Sequence, residues 1–221
     1  MNMTAQDDPD HEPRRSSRVR KGWAAYDKTA KSSGGDDDSL KPYFRYTVST
    51  EGAQLVRFLD SEPITYSQHW LNKPWMCIED NCPICDYVAE IRNRDGDTAK
   101  RIQAKPVVVF TVVDLSLEEP LPLLLTVTSK KFASRLQTLN DDPKYGPLTA
   151  NYISLSREGE GTSTTYTAMY VKERDLEEDY DITPEDAQAI SEEFDPVPDD
   201  FFPGSTRADL RDALDDWKKK Q

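Results

Sequence analysis

Residues 69–85 read HWLNKPWMCIEDNCPIC, and the rest of the chain is best read outward from them. The three cysteines of the protein, Cys77, Cys82 and Cys85, all fall in this stretch, and His69 is one of only two histidines. Cys82-Pro83-Ile84-Cys85 is a C-x2-C knuckle, a turn that lets two thiolates converge on one tetrahedral ion while backbone N–H groups face the sulfurs. Cys77 brings a third thiolate, and His69, at the end of a predicted strand, brings a nitrogen. Cys3His is a common closed structural zinc set, so one structural Zn2+ on His69, Cys77, Cys82 and Cys85 is expected. Asp80 or Asp86 would supply an oxygen ligand in place of His69 if the histidine served only as a core residue. A site of this kind contributes roughly 10–16 kcal/mol of apparent folding free energy in zinc-finger peptides, more than the net stability of most domains.

A catalytic zinc keeps one coordination position open and a carboxylate nearby. The nucleic-acid deaminases, the nearest catalytic class, need H-x-E followed by P-C-x-x-C, whereas Trp70 and Leu71 follow His69 and the proline lies inside the C-x2-C. No phosphate loop of the G-x-x-x-x-G-K-[ST] type, no G-x-S-x-G elbow and no H-E-x-x-H occur. An enzyme is not expected.

With 36% hydrophobic residues, 31% charged residues and 15 prolines, only part of the 221-residue chain is apolar enough to form a core. We expect a compact centre with loose ends: a flexible basic arm over 1–40, a core over 41–173, and an acidic tail over 174–221. The net charge of -13 is uneven, because residues 173–221 alone carry -11 while residues 51–172 carry -3. A basic face on the centre is therefore compatible with the overall acidity. No apolar run of 18 residues and no secretory leader are seen, so no membrane partner and a cytoplasmic location are expected. In that compartment thiols stay reduced, which favours metal ligation over a disulfide.

Downstream of about Tyr43, β-branched and aromatic residues alternate between turn signals. The predicted strands are Tyr43–Ser49, Gln54–Leu59, Thr65–Leu71, Lys105–Asp114, Leu121–Thr128, Tyr152–Ser156 and Thr165–Lys172, with a hairpin loop at Glu158–Gly161. One helix is capped by Ser129 and carries Phe132, Leu136 and Leu139 at helical spacing. Another starts at Pro83 and runs through Tyr87, Val88 and Ile91. Thr183-Pro184-Glu185-Asp186 is a helix start. Leu210, Leu214 and Trp217 make the stripe of an amphipathic helix, which docks on the protein's own core or on another protein. Many short strands and few helices make a mainly β fold, a barrel or sandwich.

Leu55-Val56-Arg57-Phe58-Leu59, the following His69, and Asn81-Cys82-Pro83-Ile84-Cys85-Asp86-Tyr87-Val88 with Cys77 before it resemble the zinc-containing single-stranded DNA-binding proteins of T4-like and related tailed phages. The resemblance runs less specifically through Val107–Asp114, Leu123–Leu139 and Asn151–Lys172, and covers roughly residues 40–175. It implies an OB-fold, a five-stranded Greek-key barrel, with a zinc-binding subdomain beside the DNA groove and disordered or helical tails. It also implies sequence-nonspecific binding and protection of single-stranded DNA in replication, recombination and repair. The run Arg14-Arg15-Ser16-Ser17-Arg18 is similar to the family's cooperativity motif, which implies self-association along DNA. Glu173–Gln221 matches the acidic tail that recruits replication or recombination proteins and competes with DNA. Two departures are plain: Glu90–Ala104 is basic and free of aromatic residues, and the loop between Cys77 and Cys82 is shorter than in the family.

Sequence-tolerant binding of a single strand needs cations along the phosphates and rings under the bases. The basic candidates are Arg57, Lys73, Arg92, Arg94, Lys100, Arg101, Lys105, Lys130, Lys131 and Arg135. The stacking candidates are Trp70, Trp75, Tyr87, Phe110, Tyr152 and Tyr166, each equally serviceable as a core residue. The alternative function is a zinc-stabilised protein-interaction module, a transcription or recombination accessory factor without DNA affinity.

Overall fold

The computed structural model describes residues 20–21, 45–160, 163–198 and 204–221. Its nine strands are β1 (Arg20–Lys21), β2 (Arg45–Tyr46), β3 (Gln54–Phe58), β4 (Ile64–Trp70), β5 (Pro74–Met76), β6 (Lys105–Asp114), β7 (Pro122–Val127), β8 (Tyr152–Glu158) and β9 (Thr165–Val171). The helices are α1 (Pro83–Ile91), α2 (Gly96–Ile102), α3 (Lys130–Asn140), α4 (Leu176–Tyr180), α5 (Pro184–Glu192) and α6 (Arg207–Lys218). The fold is mainly β, and all nine strands join one sheet. The seven longer strands, β3–β9, pair antiparallel throughout, while β2 lies parallel to β7.

β6 organises the sheet. β4 pairs with its first half, Lys105–Val109, and β3 with its end, Val112–Asp114. β7 pairs along Val108–Val113, overlapping both, and so occupies the opposite edge. β8 then adds to β3, and β9 to β8. No pairing joins β9 to β7 or β2 among the described residues, so the closed five-stranded barrel expected from the resemblance is not what these strands make. The physical reason is α3, which packs against both β7 and β9. Its Phe132, Ala133, Leu136 and Leu139 share one buried cluster with Val56, Phe58, Val108, Phe110, Val112 and Ile153, closing the core where hydrogen-bonded strands do not. Ser129 caps this helix through the Phe132 N–H, as its spacing predicts.

Both faces of β6 are covered. Val108, Phe110 and Val112 point to the α3 side, whereas Val107, Val109 and Val113 point outward into two further buried clusters. A strand covered twice reads as a continuous apolar run, which is how Val107–Val113 reads. The outer cover is the C-terminal segment. Leu176 and Ala187, with Tyr180, Ile182, Ile190 and Phe194, pack on Leu55, Val113, Leu115 and Tyr152. Val197 packs on the cluster of Ile64, Tyr66, Val107, Val109 and Leu124, and its N–H donates to Thr111 Oγ1 at 3.0 Å. The acidic stretch is thus part of the fold among the described residues, not a loose end, and the change at residue 173 is one of charge.

The other predicted strands move by one or two residues at their ends, except that the one expected over Tyr43–Ser49 is a strand only at Arg45–Tyr46 among the described residues. Four elements were not expected: β1, α4, β5, which turns back on β4, and α2, capped by Asp95, whose Oδ1 accepts from the Thr98 N–H. The proposed flexible arm includes Arg20 and Lys21, which pair with Thr65 and Ile64 as β1. Arg14, Arg15, Ser16, Ser17 and Arg18 lie outside the described residues, as do Tyr43 and Phe44 of the first predicted strand. In the β8–β9 loop Gly159 has φ +78°, and a Cβ there would lie 2.8 Å from the Ser163 carbonyl oxygen, so a glycine is required.

Candidate metal centre and its surroundings

Backbone pairing delivers the four side chains. His69 sits opposite Trp75 in the β4–β5 hairpin, and the Cys77 N–H donates to the Ser67 carbonyl, so His69 and Cys77 are diagonal neighbours on one face of the hairpin. Glu79 and Asn81 take left-handed φ of 59° and 54°, which folds the chain back so that Cys82 precedes Pro83 at the first position of α1. Cys85 then lies in the first turn of α1 and faces Cys77.

The donor atoms His69 nitrogen, Cys77 Sγ, Cys82 Sγ and Cys85 Sγ all lie within 4.8 Å of one another. Cys77 and Cys85 sulfurs are 3.6 Å apart, and His69 Nε2 is 3.3 Å from Cys82 Sγ and 3.5 Å from Cys85 Sγ. A tetrahedral ion about 2.3 Å from each sulfur and about 2.0 Å from nitrogen needs edges of roughly 3.5–3.8 Å, and these edges fit it. His69 Nδ1 lies 2.9 Å from the Ile102 carbonyl oxygen. A carbonyl only accepts, so Nδ1 carries the proton and Nε2 is left with its lone pair toward the cysteines. The Glu79 N–H donates to Cys77 Sγ at 3.3 Å. Asp80 and Asp86 are exposed and belong to no ligand group among the described residues, which leaves His69 as the fourth donor.

His69 is fully buried, Cys82 and Cys77 are nearly so, and Cys85 is half-buried. Burial alone would lower the His69 pKa, but hydrogen bonds and charge from Cys82 and Cys85 outweigh it and push it up to about 9. The hydrogen bonds from Cys77 and Cys85 hold the Cys82 thiol far below its ordinary value, and Cys77 is driven up in return. Three sulfurs that compete for protons around a histidine form an electron-rich pocket suited to one thiophilic cation. The four residues could hold one metal ion with no position left for a substrate.

The centre is the middle of a larger apolar cluster. Cys77 and Cys82 share it with Leu71, Ile84, Val88, Ile91, Ile102 and three residues of α6, Leu210, Leu214 and Trp217. The Trp217 ring meets Tyr87 edge-on at 6.4 Å, Lys218 Nζ lies 3.9 Å from the Tyr87 centroid, and the Arg101 guanidinium lies 5.7 Å from the Trp217 centroid. The amphipathic C-terminal helix therefore docks on its own chain.

The expected DNA contacts do not converge: they fall in the α3-side core, on the outer face of the sheet, around the Cys/His set and along α3. Phe110 is wholly buried in the α3-side core and Tyr152 is 4% exposed, so neither presents a ring to a base. Arg57 lies 4.9 Å from the Tyr152 ring on the outer face of the sheet. Burial lowers the Arg57 pKa, offset by Tyr152 and Glu173; Tyr152 is raised by burial, with Glu173 and Glu192 adding to it. Acidic residues of the C-terminal segment thus sit beside both. Around the candidate metal centre, Lys73 stands over Trp75 at 4.3 Å, Trp70 is half-exposed, Arg92 and Arg94 are exposed in the turn after α1, and Lys100 and Arg101 are exposed on α2. Arg94 is engaged with Glu90, and Arg101 donates to Gln221. Lys105 is half-buried at the start of β6. Lys130, Lys131 and Arg135 line the exposed face of α3, and Tyr166 stacks on Phe132 at 5.0 Å. Sequence reasoning passed over Tyr145, 40% exposed, with Lys144 4.7 Å from its ring and Tyr170 beside it. A lone loop tyrosine next to a lysine carries no periodic signal that would single it out.

No protein-family model matches the chain, and no curated protein matches it. Among the described residues, no helix is long and apolar enough to cross a membrane.

Proposed function

We propose that this protein binds single-stranded DNA without sequence preference and protects it during replication, recombination and repair, in the manner of the zinc-containing phage proteins it resembles. The observation that carries the reading is the closed His69, Cys77, Cys82, Cys85 set on a β-hairpin beside an antiparallel sheet, flanked by exposed cations and half-exposed rings. The ion is zinc: three thiolates and one imidazole suit its tetrahedral preference and intermediate softness. The finer fold reading is an OB-type core built on β3–β9 with α3 against its open side. The zinc neither touches DNA nor does chemistry; it holds β4, β5, α1 and α2 as one wall of the binding surface.

Binding then follows from ordinary terms. Lysines and arginines displace counterions from phosphates, which makes affinity fall with salt, and each ring stacked on a base contributes roughly 1–3 kcal/mol. The acidic C-terminal segment competes from close by, since Glu173 acts on Arg57 and α6 engages Tyr87 and Arg101. It is also the surface offered to replication or recombination proteins, and Arg14–Arg18 links neighbours along DNA. The location is the host cytoplasm, and no catalytic role is assigned.

A tryptophan-fluorescence titration with oligo-dT and with a matching duplex, at low and moderate salt, tests the reading. Preference for the single strand, quenching, and a salt slope of several units are expected. No binding at micromolar protein would remove it in favour of a zinc-stabilised protein-interaction module.

A further inference from the structure

α3 and β9 run side by side, and three contacts fix their alignment. Phe132 stacks on Tyr166 at 5.0 Å with planes 23° apart, Arg135 Nε donates to the Ala168 carbonyl at 3.1 Å, and the Tyr170 hydroxyl donates to the Leu139 carbonyl. Tyr166 and Tyr170 are four residues apart on one strand, hence about 13 Å apart and on the same face. Tyr145, from the loop after α3, prolongs the row at 5.2 Å from Tyr170, with Lys144 over its ring. The order along the seam is Tyr166, Arg135, Tyr170, Tyr145, Lys144, with exposed Lys130 and Lys131 at its head.

We propose that this seam is a stacking track for single-stranded DNA that the described residues of the acidic C-terminal segment do not cover. The proposal rests on the single-strand reading above and says where one strand runs. Two features favour a nucleic-acid occupant. Rings and cations share one row, as sequence-tolerant stacking with phosphate neutralisation requires. The described residues of the acidic segment, Leu176 to Val197, pack against the outward clusters of Val107, Val109 and Val113, whereas Tyr166 and Tyr170 pack against the α3-side core, so the seam lies away from them. Asp142, a carboxylate beside Tyr170, accepts the backbone N–H groups of Lys144 and Tyr145 and so holds the loop that presents the ring.

Fluorescence anisotropy of a labelled oligo-dT with the full chain tests this, using Tyr145→Ala, Tyr145→Phe, Lys131→Ala and, as a control on the loop before β7, Leu121→Ala. Tyr145→Ala weakens binding about 5- to 100-fold, Tyr145→Phe and Leu121→Ala stay within about twofold, and Lys131→Ala lowers the salt slope by about one. If the parent chain binds and both Tyr145→Ala and Lys131→Ala bind as it does, the track is wrong while the function stands. If the parent chain does not bind oligo-dT, the function fails and the track with it. Should Tyr145→Ala melt below the parent, the Lys131→Ala slope decides alone.

Discussion

The four side chains of the candidate metal centre divide the work unequally, because His69 is held from both ends while the cysteines share protons among themselves. With Nδ1–H on the Ile102 carbonyl, the imidazole has one orientation, and losing any sulfur leaves buried polar atoms without their ion. Cys82→Ser should therefore lower the thermal midpoint markedly and abolish stoichiometric metal binding, read by differential scanning calorimetry and metal analysis; a variant melting like the parent would contradict a structural site. The pH dependence has two opposite signs. In the metal-free protein the raised His69 pKa contributes stability that is complete below about 6.5 and is lost as pH rises through about 9. Metal needs the neutral imidazole and the thiolates, so loading expels protons and apparent affinity rises with pH over the same window. Competition with a chromogenic chelator from pH 6 to 9 reads this slope, and a flat profile would contradict the ligand set. These four residues were legible in the sequence because ligand spacing is a local property. Phe110 was not: in a strand covered on both faces, alternation does not distinguish a ring for packing from a ring for stacking.

Elements were legible where an end signal and a periodic stripe agreed. Ser129 caps α3 and Thr183 caps α5 through the Asp186 N–H, both at the residues their spacing indicates. α2 escaped because Gly96, Asp97 and Thr98 read as a turn, and its buried face is only Ala99 and Ile102. The stripe Leu210, Leu214, Trp217 announced a helix without naming its partner, since amphipathicity records that a face is buried and not by what. Ser129→Ala should cost about 1 kcal/mol of stability in denaturant unfolding, with the metal still bound. Leu214→Asp places a charge in the cluster shared with Cys77 and Cys82, so it should speed metal loss to a chelator as well as lower the melting midpoint. Unchanged release kinetics in that variant would separate α6 from the metal centre.

Over the whole molecule, the sheet is wrapped: α3 fills one face, and the acidic segment from Leu176 to Val197 covers the other before α6 finishes on the metal module. Charge counting marked that segment as separate because its acids face water while its apolar residues, spaced too far apart to stand out, face the strands. Removing it exposes Leu55, Val113 and Leu115 as well as Arg57 and Tyr152, so truncation at Lys172 should give a chain with a lower melting midpoint and a tendency to aggregate. Point substitutions such as Glu173→Gln, beside Arg57, should instead leave melting unchanged and modestly raise oligo-dT affinity at low salt. The account turns on the four-residue site being a closed metal centre that organises the module, its last helix included. Hydrogen exchange of the metal-loaded and chelated protein tests that directly. It predicts that amides of Cys77–Ile102 and Arg207–Lys218 lose protection together while β6–β9 keep theirs; unchanged protection of Arg207–Lys218 after metal removal would contradict it.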